Sequence, residues 1–247
     1  KTWSTISGGL PQDDYVKVVR QDPHNPNLLF AGMEHGIFAS WDKGKSWTKI
    51  NVNLPPVSVR DLRVQARERD LVIGTHGRGA WILDDIRPLE EMGSATSKAA
   101  HVFPVRDAIL WHYHDQVENL GDRTYRAKNP EFGAYINFYL QKDPTGPVEV
   151  SILDNAGKHI QTIKDTLSKA GINRIVWNLR SKGALALDNP PRGGWRSGSY
   201  NPMVIPGMYT AKIKVNEQEL TTSILVKPDP RAKLSDQDYR MKLETTN

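Results

Sequence analysis

Hydrophobic residues along the chain fall into short runs separated by polar and turn-forming residues. In the clearest case, residues 132–140, apolar side chains take every second position. A period of two is typical of a strand with one buried face. Similar runs, separated by Gly, Pro, Asn and Asp, lie at 148–152, 159–163, 173–179, 208–215 and 220–226. The pattern therefore predicts an all-β protein.

The first 89 residues contain an internal repeat. Residues 1–6 match residues 45–50, and a Leu-Pro pair follows each stretch. Three further pairs of runs extend the match: 16–19 with 59–62, 28–32 with 70–74, and 36–39 with 79–82. A repeat of about 43 residues with several short apolar runs has the size of a four-stranded propeller blade. The repeat predicts blades of a β-propeller over residues 1–89.

A turn motif closes the first repeat. The stretch from Ser40 to Trp47 fits the Asp-box pattern S-x-D-x-G-x-[ST]-W, with its specified residues at Ser40, Asp42, Gly44, Ser46 and Trp47. An acidic side chain can accept hydrogen bonds from turn amides, and glycine permits a positive φ. The tryptophan is expected to pack between blades. We interpret Asp42 as structural, because a catalytic carboxylate usually needs a partner and a cleft.

These motifs resemble the sortilin-like, bacterial neuraminidase repeat "glycosyl hydrolase" family. The resemblance rests on the Asp box and on the stretches 22–27, 31–38, 67–79 and 81–86. It implies that residues 1–89 are the final blades of a propeller that continues upstream of Lys1. No second Asp box follows Leu83-Asp84-Asp85, as expected of a last blade that leads into another domain.

The remainder of the chain predicts a connector and a second domain. Residues 90–130 are interpreted as a linker with a connecting strand, and 131–230 as a β-sandwich. The sandwich resembles the Ig-like domain of flagellar hook-capping proteins in its stretches 152–158, 171–178 and 206–209. A long loop at 181–205 interrupts it. A capping-box pattern at residues 235–238 predicts that the segment 231–247 starts a helix.

Composition narrows the classes of function. The chain has no cysteine, which excludes disulfides and cysteine metal sites. Its net charge of +5 is spread along the whole sequence, unlike the basic patch of a nucleic-acid-binding protein. No apolar run reaches the roughly 18 residues of a membrane span. We predict no nucleic-acid partner, no membrane span, no metal and no cofactor.

Candidate ligand-binding residues occupy equivalent places in the two repeats, namely Glu34 and His35 in the first and His76 and Arg78 in the second. Loops that connect propeller strands line the channel and the ligand face, so these residues are candidates for contacting a glycan or peptide. The alternative is that they stabilise strand ends. Trp195, in the long loop, is a further candidate, which either stacks on a sugar or partner or caps the sandwich.

Two further pairs of residues, Asp84 with Asp85 and His112 with His114, are candidates for catalysis and for metal binding. Asp84 and Asp85 are adjacent, and neighbouring strand residues point to opposite faces, so we predict capping or a salt bridge to Arg87 rather than paired catalysis. His112 and His114 would share a strand face, but no third residue has metal-ligand spacing. The sequence shows no recognisable nucleophile elbow, and we predict no catalytic residue.

The sequence thus predicts a non-catalytic C-terminal portion of an exported Asp-box propeller protein, acting in carbohydrate or protein binding and assembly. The expected partners are upstream blades of the same polypeptide and a glycan or protein ligand. The expected location is secreted, periplasmic or on the cell surface of a bacterium. Two alternatives remain: part of a sialidase- or xyloglucanase-like glycoside hydrolase with catalytic residues upstream, and a sortilin-like peptide receptor.

Overall fold

The computed structural model describes residues 2–50, 53–112, 129–181 and 201–246. Most regular structure is β, which confirms the predicted all-β class. The strands are β1 (Val16–Gln21), β2 (Leu29–Met33), β3 (Gly36–Ser40), β4 (Thr48–Lys49), β5 (Val59–Gln65), β6 (Asp70–Thr75), β7 (Ala80–Leu83), β8 (Ala100–Val102), β9 (Ala108–Leu110), β10 (Ala134–Leu140), β11 (Val148–Asp154), β12 (His159–Asp165), β13 (Gly171–Trp177), β14 (Gly207–Val215) and β15 (Gln218–Pro228). The helices are α1 (Arg87–Glu90), α2 (Met92–Ala95) and α3 (Asp236–Thr246). The chain divides into two compact units, Lys1–Lys98 and Ala99–Asn247.

The first unit contains two antiparallel sheets. Strands β1 to β4 form a four-stranded meander in chain order, which we call the first sheet. Strands β5 to β7 form the second sheet, which has three strands in the described part of the chain. Strands β1 to β3 and strands β5 to β7, which the repeat matches in sequence, thus occupy corresponding places in the two sheets.

The two sheets of the first unit share a hydrophobic core. Strand β2 packs closely on β5, because a Cβ atom at Gly32 would lie 2.6 Å from a methyl group of Val59. A side chain at Gly32 would therefore force the sheets apart. The fully buried core residues include Leu28, Phe30, Val59, Leu62 and Leu71.

Residues 6–10 contact the face of the first sheet that is turned away from the second sheet. The Gly8 carbonyl accepts the backbone N–H of Trp47 at 2.9 Å. A Cβ atom at Gly8 would lie 2.4 Å from the carbonyl oxygen of Lys45, so only glycine permits this approach. A small second core forms here from Ala31, Met33, Phe38 and Trp47, with Leu10 and Leu29 packed against it.

A buried corner follows β7. Asp85 has a φ of 57°, and its backbone N–H donates to Asp70 Oδ1 at 2.8 Å. Its carboxylate is fully buried and pairs with Arg87 Nη1 at 2.6 Å. Of the two predicted roles for the Asp84–Asp85 pair, capping or a salt bridge to Arg87, the structure shows the salt bridge, which Asp85 makes. The chain then continues into the single-turn helices α1 and α2.

The second unit is built from two further sheets. One has the order β13-β10-β8, and the other has the order β12-β11-β14-β15-β9. Both contribute to a single core, in which the Trp177 and Tyr209 rings lie 5.1 Å apart. The predicted runs between 132 and 226 all form strands, with ends that differ by a few residues. Strand β9 is the exception in direction, because it pairs parallel with β15.

The ends of the predicted long loop are held together, since Val204 N–H donates to the Leu179 carbonyl at 2.9 Å. Residues 182–200, including the candidate Trp195, lie outside the described residues. Near the C-terminal end, Ser235 and Asp238 form the predicted capping box before α3, with Ser235 Oγ 2.7 Å from Asp238 Oδ2. None of the described helices is both long and apolar enough to cross a bilayer.

Candidate functional site

The turn that joins β3 to β4 is built around one carboxylate. One oxygen of Asp42 accepts hydrogen bonds from the Ser40 hydroxyl and the Ser46 backbone N–H, both at 2.8 Å. The other oxygen accepts the Ser46 hydroxyl at 2.6 Å. The Ser40 hydroxyl in turn accepts the N–H of Gly44, which has a φ of 87°. The motif residues therefore satisfy one another within the turn.

This arrangement decides what Asp42 can do chemically. The Ser46 hydroxyl, the Ser46 N–H and the Ser40 hydroxyl lower the pKa of the carboxyl to about 2. The side chain is ionised at neutral pH and can only accept hydrogen bonds. Because both of its oxygens already accept hydrogen bonds inside the turn, the Asp42 carboxylate stabilises the turn conformation.

Trp47 fastens the turn to its sheet. Its ring packs with Ala31, Met33 and Phe38, and only 7% of the residue is exposed. Its indole N–H donates to the Ile6 carbonyl at 2.7 Å. The tryptophan therefore joins the turn, the sheet and the segment that precedes β1.

A second group of polar side chains lies at one end of the strands of the first unit. We call it the strand-end cluster, and it consists of Asp14, Lys17, Glu34, His35, Ser58 and His76. It contains three of the four sequence-predicted ligand residues of the first unit. The six residues of the cluster lie at four places: the start of β1, the β2–β3 turn, the residue before β5 and the β6–β7 turn.

Asp14 organises the β2–β3 turn. Its carboxylate accepts the backbone N–H groups of Tyr15, Glu34 and His35 at 2.8, 3.0 and 3.2 Å. Burial raises the pKa of Asp14, but these donors and the nearby His35 ring outweigh it, and the net pKa lies below its ordinary value. The His35 Nδ1 atom lies 3.4 Å from the same carboxylate. The imidazole ring of His35 is thereby held at the surface beside Asp14.

Glu34 connects the two sheets. Its Oε2 atom lies 3.0 Å from Lys17 Nζ and accepts the Ser58 hydroxyl at 3.2 Å. Lys17 is the largest cause of the lowered pKa of Glu34; burial opposes it, whereas Ser58 and Arg60 lower the pKa further. The Ser58 carbonyl accepts the backbone N–H of His76 at 2.9 Å. Residues from equivalent places in the two repeats are thus joined through Ser58.

The β6–β7 turn presents the remaining candidate, Arg78. The Thr75 hydroxyl donates to the Gly79 carbonyl at 2.6 Å, and the Trp81 indole N–H donates to the Arg78 carbonyl at 3.0 Å. Gly77 has a φ of 81°. These features make a tight, exposed hairpin, with Arg78 at its tip.

Tyr15 adds an aromatic surface to the cluster. The residue is 71% exposed, and Lys17 Nζ lies 5.4 Å from the centre of its ring. An exposed ring beside a carboxylate, a cation and an imidazole offers apolar and hydrogen-bonding contacts together. Sugars present both kinds of surface, because their C–H faces are apolar and their rims carry hydroxyls.

The sequence prediction did not include Asp14, Tyr15, Lys17 or Ser58, although the repeat carries a signal for most of them. When 16–19 is matched with 59–62, Tyr15 and Ser58 occupy equivalent places immediately before a strand. Lys17 and Arg60 are likewise equivalent, and both are basic. Both cations lower the pKa of Glu34.

A buried acidic pair lies elsewhere in the first unit. Asp22 Oδ1 accepts the N–H groups of His24 and Asn25, whereas no described residue makes a hydrogen bond to its buried Oδ2 atom. Glu90 Oε2 accepts a hydrogen bond from Arg69 Nη1 at 2.6 Å, and its buried Oε1 atom has no hydrogen-bond partner among the residues that the structure covers. Burial and then the nearby Asp22 raise the pKa of Glu90, against the opposing effects of Arg69 and His24.

His112 and His114 are the two histidines considered above as possible metal ligands. The backbone N–H of His112 donates to Asp229 Oδ2 at 2.9 Å, and His114 lies outside the described residues. Asp229 also accepts the Arg231 guanidinium at 2.7 Å, and the Arg231 guanidinium lies over the Trp111 ring. Among the residues that the structure describes, no group of three or more His, Cys, Asp or Glu could hold a metal ion.

Comparisons with known proteins were made of both sequence and structure. No family model matches the chain, and no curated protein matches it. The structure comparison found two solved structures of the extracellular domain of BT4673 from B. thetaiotaomicron. One describes this protein as a putative one-component system and the other as a putative hybrid two-component system. Their sequences are 12% and 10% identical to this chain, with TM-scores of 0.23 and 0.22. They cover 89% and 88% of this chain, which spans about a quarter (26%) of either domain. Likeness at this level assigns neither fold nor function.

Proposed function

We propose that the chain is a non-catalytic, C-terminal portion of an exported bacterial Asp-box propeller protein and that it binds carbohydrate at the strand-end cluster. In this proposal the two sheets of the first unit are propeller blades, and the second unit is an Ig-like sandwich. The support is the match of strands β1 to β3 with strands β5 to β7 in the repeat and the common core between the two sheets. Propellers have four to eight blades, so two sheets would be part of one.

One observation carries the assignment of the ligand. The exposed Tyr15 ring lies beside Lys17, whose ammonium is 3.0 Å from the Glu34 carboxylate. A pyranose ring stacked on Tyr15 would place its hydroxyls near Glu34 and His35. The remaining contacts of Asp14 and Ser58 fix the backbone and side chains of these two residues before any ligand arrives. Such preorganisation lowers the entropic cost of binding.

The proposal is tested by screening the 247-residue chain on a glycan array and measuring the best ligand by isothermal titration calorimetry. Tyr15→Ala is expected to weaken binding at least about tenfold, as removal of a central aromatic contact commonly does. Tyr15→Phe keeps the ring and should bind within about threefold of the parent, because only the hydroxyl is lost. Glu34→Gln tests the polar side of the same site.

The matched control is Leu167→Ala, which removes an exposed apolar side chain from the second unit. It should leave binding unchanged. Equal affinity of the Tyr15→Ala and parent chains would refute the assignment of the ligand to this cluster. Release of reducing sugar from a bound glycan by the chain alone would contradict the non-catalytic part of the proposal.

A further inference from the structure

The buried acidic pair of the first unit, Asp22 and Glu90, has more negative charge than its surroundings balance. Asp22 follows β1 directly and is 2% exposed, and the side chain of Glu90, the last residue of α1, is 5% exposed. Among the described residues, Arg69 is the only cation in an ion pair with either acid, and its Nη1 atom lies 2.6 Å from Glu90 Oε2. Two ionised carboxylates beside one guanidinium would leave a buried charge without a counter-charge, which is unfavourable.

Each acid of the pair has one oxygen with donors and one oxygen without. Asp22 Oδ1 accepts the backbone N–H groups of His24 and Asn25 at 2.8 and 2.6 Å, and Glu90 Oε2 accepts Arg69. No described residue donates to Asp22 Oδ2 or Glu90 Oε1, although both atoms are buried. A buried carboxylate oxygen without a donor is costly, whereas a protonated carboxyl group is itself a donor. One bound proton would therefore remove the excess charge and add a donor where none is present.

Asn25 links the two acids and helps to hold α1 in place. Its backbone N–H donates to Asp22, and its Nδ2 atom donates to the backbone carbonyl of Glu90 at 2.7 Å. The Trp41 indole N–H donates to the carbonyl of Leu89, on the same helix, at 2.6 Å. These hydrogen bonds fasten α1 to the turn after β1 and to the residue after β3. A helix of a single turn has little stability of its own, so its position depends on such contacts.

The charged groups that act on Glu90 come from two turns packed against α1, namely Asp22 and His24 in the β1–β2 turn and Arg69 in the β5–β6 turn. Burial is the largest cause of the raised pKa of Glu90, and Asp22 adds to it, whereas Arg69 and His24 oppose it. On α1 itself, Arg87 is engaged in the separate ion pair described above. Glu90 therefore keeps its proton above the pH at which a free glutamate loses it.

A metal ion fits this place less well than a proton does. Calcium and magnesium take about six or more oxygen ligands, whereas the pair offers two carboxylate oxygens without donors. The Arg69 guanidinium, already in contact with Glu90, would also repel a second cation. In the part of the chain that the structure describes, no group of three or more His, Cys, Asp or Glu could hold a metal ion.

We propose that Asp22 and Glu90 hold one proton between them and form a pH-operated latch, which keeps α1 on the first sheet while the proton is bound. When the proton leaves to water, one guanidinium faces two buried carboxylates, and their repulsion favours the opening of α1. Helices α1 and α2 lie between β7 and Ala99, at which the second unit begins. The latch thus controls the order of the segment that connects the two units, and it does not depend on carbohydrate binding.

The latch is tested by hydrogen exchange of residues 86–96 in the 247-residue chain between about pH 4 and 8, corrected for the intrinsic pH dependence of exchange, with β10 as internal reference. The opening constant should rise as the pH passes from the ordinary pKa of 4.5 to the raised pKa of Glu90, and it should level off above that. The rise is limited to about tenfold per pH unit, because one proton is released.

Two substitutions each leave one carboxylate for the one guanidinium. Glu90→Gln and Asp22→Asn should both keep residues 86–96 protected at the alkaline end of the range, and Asp22→Asn retains the oxygen that accepts His24 and Asn25. Asp13→Asn, at an exposed carboxylate of the same unit, is the matched control and should respond to pH like the parent. His24→Gln should also respond like the parent, which separates the latch from the titration of a histidine.

Four outcomes would overturn the proposal. An opening constant of the parent that does not change with pH would show that there is no latch. Opening of Asp22→Asn like the parent would show that burial of Glu90 acts alone, without the pair. Loss of the pH response in His24→Gln would assign the proton to the histidine. Recovery of protection at alkaline pH on addition of millimolar calcium would show a cation site in place of a proton.

Discussion

Replacement of Trp47 by alanine tests whether the β3–β4 turn stabilises the first unit through its tryptophan. Burying a tryptophan removes about 150–250 Å² from water, which at about 25 cal/mol per Å² is worth about 4–6 kcal/mol. The hydrogen bond from the indole to Ile6 adds about 1 kcal/mol. Alanine retains some burial and the core partly relaxes, so we expect a loss of about 3–5 kcal/mol. That is a large part of the 5–15 kcal/mol that typically stabilises a domain.

The assay must report on each unit separately, because a chain with two units need not unfold in one step. Hydrogen exchange of the β2 and β3 amides under native conditions reports the first unit, and exchange of β10 and β14 provides an internal reference. Trp47→Ala should accelerate exchange in the first set by at least about a hundredfold, as a loss of about 3 kcal/mol requires. Trp47→Phe keeps most of the apolar area and should cost about 1–2 kcal/mol.

The matched control is Trp3→Ala, at a residue that is 97% exposed. It removes the same side chain from an exposed place and should change the free energy of unfolding by less than about 0.5 kcal/mol. If Trp47→Ala and Trp3→Ala had equal effects on exchange in β2 and β3, the turn tryptophan would not stabilise the first unit. Faster exchange in β10 and β14 would show instead that the units unfold together.

Gly8→Ala should cost about 1–3 kcal/mol in chemical denaturation, because the new Cβ meets the Lys45 carbonyl; an unchanged midpoint would contradict that close approach. Burial and the nearby Asp22 raise the pKa of Glu90, so the folded state keeps the proton at pH values above the ordinary pKa of 4.5. The free energy of unfolding should therefore fall as pH rises through the raised pKa. Glu90→Gln should remove that slope in urea titrations between about pH 4 and 7, and an unchanged slope would assign it to other groups. Tyr209→Phe should cost about 1 kcal/mol in thermal unfolding through loss of its hydroxyl hydrogen bond, and full stability would mean that water replaces it.

The elements that could be predicted are those with a local signal. The alternation at 132–140 identifies β10, and the Ser235–Asp238 capping box identifies the start of α3. Strand β9 has only three residues, too few for any period, and its parallel pairing with β15 joins segments more than a hundred residues apart. Such pairing depends on the packing of the whole unit, so no local pattern contains it.

In the strand-end cluster, too, some residues could be predicted from local sequence, whereas a contact that depends on packing could not. Glu34, His35 and His76 could be predicted because the repeat places them at equivalent turns. The contact between Glu34 and Ser58 could not, because it depends on how closely β2 packs against β5. The strands can approach this closely because Gly32 has no side chain, and Gly32 takes no part in the contact between Glu34 and Ser58.

The different strand numbers of the two sheets follow from the residues after β3 and β7. After β3, the small Ser40 and the ionised Asp42 form a self-contained turn that sends the chain back along its own sheet. After β7, Asp85 takes a left-handed backbone conformation and turns inward, where Arg87 neutralises its buried carboxylate. The chain is thereby directed into α1 instead of a fourth strand. In the part of the chain that the structure describes, the buried and paired Asp85 therefore accounts for the second sheet having one strand fewer than the first.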